Sequence, residues 1–126
     1  VKVNTSIRGG SQGDVVRIDD CVFEGKTRID TLAGNDRIEI ERNGYDVGSL
    51  TRFLGTAQIY LSAGDDEVKM GIFGEPGNTA EFALGTTLNG GDGADTITRS
   101  AATIYTTPAE LSIVNFETDI VVPAEV

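Results

Sequence analysis

Four aspartates recur in this chain at the same place in the same local pattern: Asp14, Asp36, Asp66 and Asp95. Each has a glycine one or two residues before it (Gly13, Gly34, Gly64, Gly93) and an aliphatic residue two after it (Val16, Ile38, Val68, Ile97). Asp65 adjoins the third, and Gly91-Asp92 precedes the fourth. Carboxylates recurring in this way are hard oxygen donors, of the kind a hard cation such as Ca²⁺ prefers. Other site chemistries are excluded by composition. There is no His, so neither Ser-His-Asp nor Cys-His catalysis nor imidazole ligation of a metal is available. Cys21 is the only cysteine, which rules out an internal disulfide and a zinc ribbon.

The aspartates belong to a repeat. Four twelve-residue blocks align without gaps: IRGGSQGDVVRI from Ile7, IDTLAGNDRIEI from Ile29, IYLSAGDDEVKM from Ile59 and LNGGDGADTITR from Leu88. Their starts are separated by 22, 30 and 29 residues. A weaker element precedes three of them, as Phe23-Glu24-Gly25, Phe53-Leu54-Gly55 and Ala83-Leu84-Gly85, and Phe116-Glu117 with Ile120 to Val122 suggests a fifth, incomplete unit. After each Asp the aliphatic residues alternate with polar ones, as in Arg37-Ile38-Glu39-Ile40, which is the period of a strand with one buried face.

Each unit therefore reads as strand, turn, strand, and the whole chain, 1–126, as one all-β domain. A Gly-rich turn every 22 to 30 residues fits a parallel β-solenoid, β-helix or β-roll-like, of about four to five coils. Equivalent strands would then pair at about 4.8 Å and equivalent side chains would form ladders. An antiparallel sandwich ranks second, since it gives no reason for the same Gly-Asp turn to recur. Glu41 to Thr51 and Gly71 to Asn78 are expected to bulge as loops, and Thr107 to Val114, with Pro108 placed for a first helical turn, is the only candidate for one short turn of helix. Phe23 and Phe53 read as a core stack, with Phe116 a possible third member.

The fourth block, Gly90-Gly91-Asp92-Gly93-Ala94-Asp95-Thr96-Ile97-Thr98, carries every fixed position of the nonapeptide G-G-x-G-x-D-x-U-x. At these residues the chain resembles the RTX, or haemolysin-type calcium-binding, repeat family. Blocks two and three keep the G-x-D-x-U half, and the first has Gln12 in place of the third glycine. The copies are degenerate and stand one per coil, whereas the family's run in tandem. The resemblance implies Ca²⁺ held between successive coils by Asp14, Asp36, Asp65, Asp66, Asp92 and Asp95, with backbone support at Gly34, Gly64, Gly91 and Gly93. It also implies an extracellular or cell-surface setting, where millimolar Ca²⁺ fills even weak sites.

Electrostatics raise the same question without the resemblance. Aspartates stacked about 5 Å apart repel by about 3 kcal/mol per adjacent pair at an effective dielectric near 20. Either a bridging cation or backbone N–H donors within the turn must relieve this. The formal charge of −10 argues against nucleic acid, and no apolar run approaches a bilayer span. The expected function is a non-enzymatic, calcium-binding structural module of a secreted, surface or adhesive protein. A metal-free filament subunit and a β-helix that binds or cleaves acidic polysaccharide through Arg37, Arg52 and Lys69 are the alternatives. The Val1-Lys2-Val3-Asn4 alternation, with no cap before it, suggests a segment of a longer chain whose first coil pairs with preceding coils or with a head-to-tail copy. Val121-Val122-Pro123 is expected to blunt the other end. Cys21, beside Asp19 and Asp20, reads as a small filler.

Overall fold

The computed structural model describes residues 2–42, 50–71 and 79–123. The repeat folds into a parallel β-solenoid with three strands in each of the first four coils. Coil one carries β1 (Thr5–Arg8), β2 (Val15–Ile18) and β3 (Val22–Phe23). Coil two carries β4 (Thr27–Asp30), β5 (Arg37–Ile40) and β6 (Leu50–Phe53), and coil three β7 (Ala57–Tyr60), β8 (Glu67–Met70) and β9 (Thr79–Phe82). Coil four has β10 (Thr86–Asn89), β11 (Thr96–Ser100) and β12 (Ile104–Tyr105), and a shorter fifth has β13 (Leu111–Val114) and β14 (Thr118–Val122). The strands stack as three parallel sheets, β1-β4-β7-β10-β13, β2-β5-β8-β11-β14 and β3-β6-β9-β12.

Register turns the alternation into a core. Ile7, Ile29, Ile59, Leu88 and Ile113 form one inward ladder, and Val16, Ile38, Val68 and Ile97 another. Ile29, Ile38, Ile59, Val68, Leu88 and Ile97 are wholly buried. On the third sheet Phe23, Phe53 and Phe82 stack with near-parallel rings, centroids 5.0 and 4.8 Å apart, and Tyr105 continues the column at 5.6 Å. Tyr105, not Phe116, is thus the further member; Phe116 packs separately against the core. Outside the second sheet, opposite charges meet between neighbouring coils: Arg17 with Glu39 (3.7 Å) and Arg37 with Glu67 (3.5 Å). Such exposed pairs contribute little energy each, but a one-residue slip would break them along with the buried ladders.

The one short helical turn expected within Thr107 to Val114 is the 3-10 turn Pro108–Glu110; the remainder, Leu111–Val114, was not legible as a strand and is β13, because its alternation serves the Leu88 ladder. The third sheet was not separately legible either: Leu50 and Thr51 belong to β6, while 43–49 and 72–78 lie outside the described residues.

The two ends of the stack differ. At the last full coil Arg99 takes the ladder position held below by Ile18, Ile40 and Met70, and Asp119 the position after Ile97. The guanidinium donates to both Asp119 oxygens (3.2 and 3.1 Å) and to the Tyr105 hydroxyl (3.2 Å), so a polar layer covers the apolar column. β14 ends at Val122, directly before Pro123. At the opposite end Val15 and Val22 are 54% and 56% exposed, and among the described residues β1, β2 and β3 each pair on one side only.

Candidate acidic ladder at the Gly-Asp turns

The turn that joins the first and second strands of each coil must reverse within a few residues, and glycine makes this possible at a definite point. Gly34, Gly64 and Gly93 have φ of +113°, +130° and +117°, a region that disfavours side chains. They are also stacked so closely that a Cβ on Gly64 would meet the Gly34 carbonyl, and one on Gly93 the Gly64 carbonyl. Gln12 stands below Gly34 in this column. Gly91, with φ +80°, packs against the Ser62 carbonyl.

This packing brings the four aspartates into one column. The Asp14 N–H donates to Asp36 Oδ1 (2.7 Å), Asp36 N–H to Asp66 Oδ1 (2.8 Å), and Asp66 N–H to Asp95 Oδ1 (2.9 Å). Glu117 ends the series by accepting the Asp95 N–H (2.8 Å), which gives the fifth coil an acidic member that the Gly-Asp pattern alone does not reveal. The donors come from the neighbouring coil rather than from the same turn. Among the described residues only Asp14 also accepts within its own turn, at Oδ2 from the Gly10 N–H (2.8 Å). In coils two and four, by contrast, the corresponding N–H groups of Leu32 and Gly91 are taken by Asp30 and Asn89.

The second carboxylate oxygen is therefore left over. Asp36, Asp66 and Asp95 are 2%, 2% and 0% exposed, and their Oδ2 atoms have no hydrogen-bond donor among the described residues. Burial pushes the Asp66 carboxyl up to about 6, partly opposed by the Asp36 N–H and reinforced by the Asp95 and Asp36 charges. Asp95 is raised too, again chiefly by burial. The Asp66 and Asp95 side chains are within hydrogen-bonding reach, so one proton can be shared between them, but two ionised carboxylates have none to share.

Of the other candidate ligands, Asp65 lies on the outer side, accepting the Ala94 N–H (2.9 Å) in a parallel outer series begun by Asn35, which accepts the Asp65 N–H (2.9 Å). Asp92 is exposed and bridges Ala63 through its backbone. The structure thus collects Asp14, Asp36, Asp66 and Asp95 in the inner column and places Asp65 and Asp92 outside it. A shallow polar cavity of about 320 Å³ opens where Asp14, Asp36, Asp65 and Glu67 line the turn edge with Arg37. Arg37, Arg52 and Lys69 are engaged in ion pairs, with Glu67, Glu81 and Glu67 respectively.

A second acidic group, not apparent from the repeat, lies at the other end of β2 and β5. Glu41 follows Ile40 into a left-handed turn (φ +54°), and its Oε2 accepts from the Thr51 hydroxyl (2.6 Å) and the Asp20 N–H. Cys21 Sγ donates to the Asp19 carbonyl at the same corner (3.2 Å), consistent with a packing role. Thr51→Val, which keeps the shape but removes the donor, is expected to lower stability by about 1–2 kcal/mol at neutral pH, measured as a shift of the urea midpoint. The only sequence signal for this corner was the pair Asp19-Asp20; Glu41 is placed there by register, since it stacks above Asp19 one position past Ile18 and Ile40.

In comparison with known protein families, curated proteins and solved structures, the chain matches none of them.

Proposed function

We propose that the chain is a non-enzymatic, calcium-binding β-solenoid module of an extracellular structural, surface or adhesive protein, its Ca²⁺ held at the Gly-Asp turns of successive coils. The observation that carries this reading is the column of buried Oδ2 atoms on Asp36, Asp66 and Asp95, acidic oxygens with no donor among the described residues. Full ionisation of such a column is costly in a low-dielectric site, and a divalent cation supplies the missing positive charge. Asp36, Asp66 and Asp95 would hold it, with Asp14, Asp65 and Asp92 at the margins and turn carbonyls as neutral ligands. What it supplies is cohesion between coils. The extracellular assignment rests on the family resemblance and on the millimolar Ca²⁺ found outside cells.

The unpaired edges of β1, β2 and β3, with Val15 and Val22 exposed, support further coils of a longer chain, or a head-to-tail copy, as partners at that end. A metal-free structural subunit is the second reading. It is favoured by the fact that Oδ1 of Asp36, Asp66 and Asp95 is already satisfied by an N–H.

Calorimetric titration of the folded chain with Ca²⁺ separates the two. Saturable heat in the wild type that is lost in Asp66→Asn and Asp95→Asn is the expected result. Absence of saturable heat up to millimolar Ca²⁺ would overturn the calcium reading and favour the metal-free one.

A further inference from the structure

The corner opposite the Gly-Asp turns carries a second unexplained acidic oxygen. Glu41 is 0% exposed, and although Oε2 is held by Thr51 and by the Asp20 N–H, Oε1 has no hydrogen-bond partner among the described residues. One carboxylate oxygen from each of Asp19, Asp20 and Glu41 lies within 4.8 Å of the others. Asp19 and Asp20 are partly buried and exposed, respectively, so the group is reached from solvent on one side and closed by the core on the other.

From this geometry we infer that Asp19, Asp20 and Glu41 form a distinct binding site for a hard divalent cation of the Ca²⁺ class. Three carboxylates within that span can converge on one ion at the 2.3–2.6 Å typical of Ca²⁺–oxygen contacts, with water filling the open side. The fully buried Glu41 is what sets this cluster apart from an ordinary acidic surface. Its orphaned oxygen, beside two further carboxylates, is an acceptor that a divalent cation can take. Around the group, Arg17 pairs with Glu39 (3.7 Å) and Arg42 donates to the Gly71 carbonyl (2.6 Å); both line a cavity of about 180 Å³ beside Asp19.

The site is independent of the Gly-Asp column, from which it is separated by the length of β2, about 13–17 Å at strand rise. An ion here would tie the β2–β3 corner of coil one to the β5 end of coil two. It would therefore fasten coil one to coil two.

The test is a Ca²⁺ titration of the full, ¹⁵N-labelled chain followed by amide shifts, which report the two places separately. The Asp20 and Cys21 amides are expected to shift saturably. Glu41→Gln should abolish that shift, and Asp20→Asn, a change at an exposed residue, should weaken the apparent affinity by at least about tenfold. Asp66→Asn should leave it unchanged. No shift at Asp20 and Cys21 up to millimolar Ca²⁺ in the folded wild type, or an undiminished response in Glu41→Gln and Asp20→Asn, would overturn the proposal. Failure of the Gly-Asp site would instead be read at the Asp36, Asp66 and Asp95 amides.

Discussion

Phe53→Ala is expected to destabilise the solenoid by about 3–5 kcal/mol, the range for removing a large buried aromatic side chain. Phe53 is wholly buried and stacks on Phe23 below and Phe82 above, at 5.0 and 4.8 Å, so its removal opens a cavity at the centre of the aromatic column. In a stack each coil is held mainly by its neighbours, and the deletion weakens two interfaces at once. Stability for a domain of this size is about 5–15 kcal/mol in total, so most of it is at risk. Phe23→Ala should cost clearly less, because Phe23 is only partly buried and has an aromatic neighbour on one side. Urea unfolding of the two variants checks the ordering. Equal losses, or a Phe53→Ala loss below about 1 kcal/mol, would contradict a column that works by two-sided stacking.

Acidification should stabilise the metal-free protein, opposite to the usual behaviour of a carboxylate-rich domain. The Asp66 carboxyl rises from an ordinary 3.8 to about 6 on folding, so between those values the folded state binds the proton and the unfolded state does not. Its contribution is fully present below about 3.8 and is lost as the pH rises through about 6. The shift corresponds to at most about 3 kcal/mol, using about 1.4 kcal/mol per pKa unit. Asp95 and Glu41, both raised by burial, act in the same direction, and so does the fall in self-repulsion of a chain with a formal charge of −10. In chelator, the urea midpoint should therefore increase from pH 7.5 to pH 4.5. Asp66→Asn, neutral at every pH and still able to accept the Asp36 N–H, should flatten that slope and be more stable than the wild type at pH 7.5. A wild-type midpoint that falls over the same range would show that the column is not the dominant titrating element.

Much of the fold was legible because each coil repeats the same physical demand. Alternation around Ile38, Val68 and Ile97 marks an inward face, and glycine before each Asp marks a turn, so the stack and its ladders follow. The third sheet was harder to see. Its strands are as short as Val22–Phe23 and Ile104–Tyr105, too brief to show a period, and only the phenylalanines hinted at it. Tyr105 escaped notice because an aromatic column accepts a phenol whose hydroxyl can reach a donor, here Arg99, and nothing local encodes that.

The inner aspartates were legible as a group, but not the way they are satisfied. An Asx turn uses donors a few residues away, whereas here each donor is 22, 30 or 29 residues distant and appears only when the coils are in register. For the same reason Asp65 and Asp66, adjacent in the chain, separate into an outer and an inner series. Glu41 had no signal at all beyond its place after Ile40, since only stacking brings it to Asp19 and Asp20.

The most direct measurement of the central claim is the thermal midpoint of the full chain at pH 7.5, with excess chelator and with millimolar Ca²⁺. A ligand that binds only the folded state must raise the midpoint, by about 2.7 kcal/mol of added stability when its concentration is 100 times Kd. If the Gly-Asp column holds Ca²⁺, the midpoint rises in the wild type and rises much less in Asp66→Asn. The same midpoint with and without chelator would contradict the claim, leaving the cross-coil N–H bonds and shared protons as the whole of what stabilises the acidic ladder.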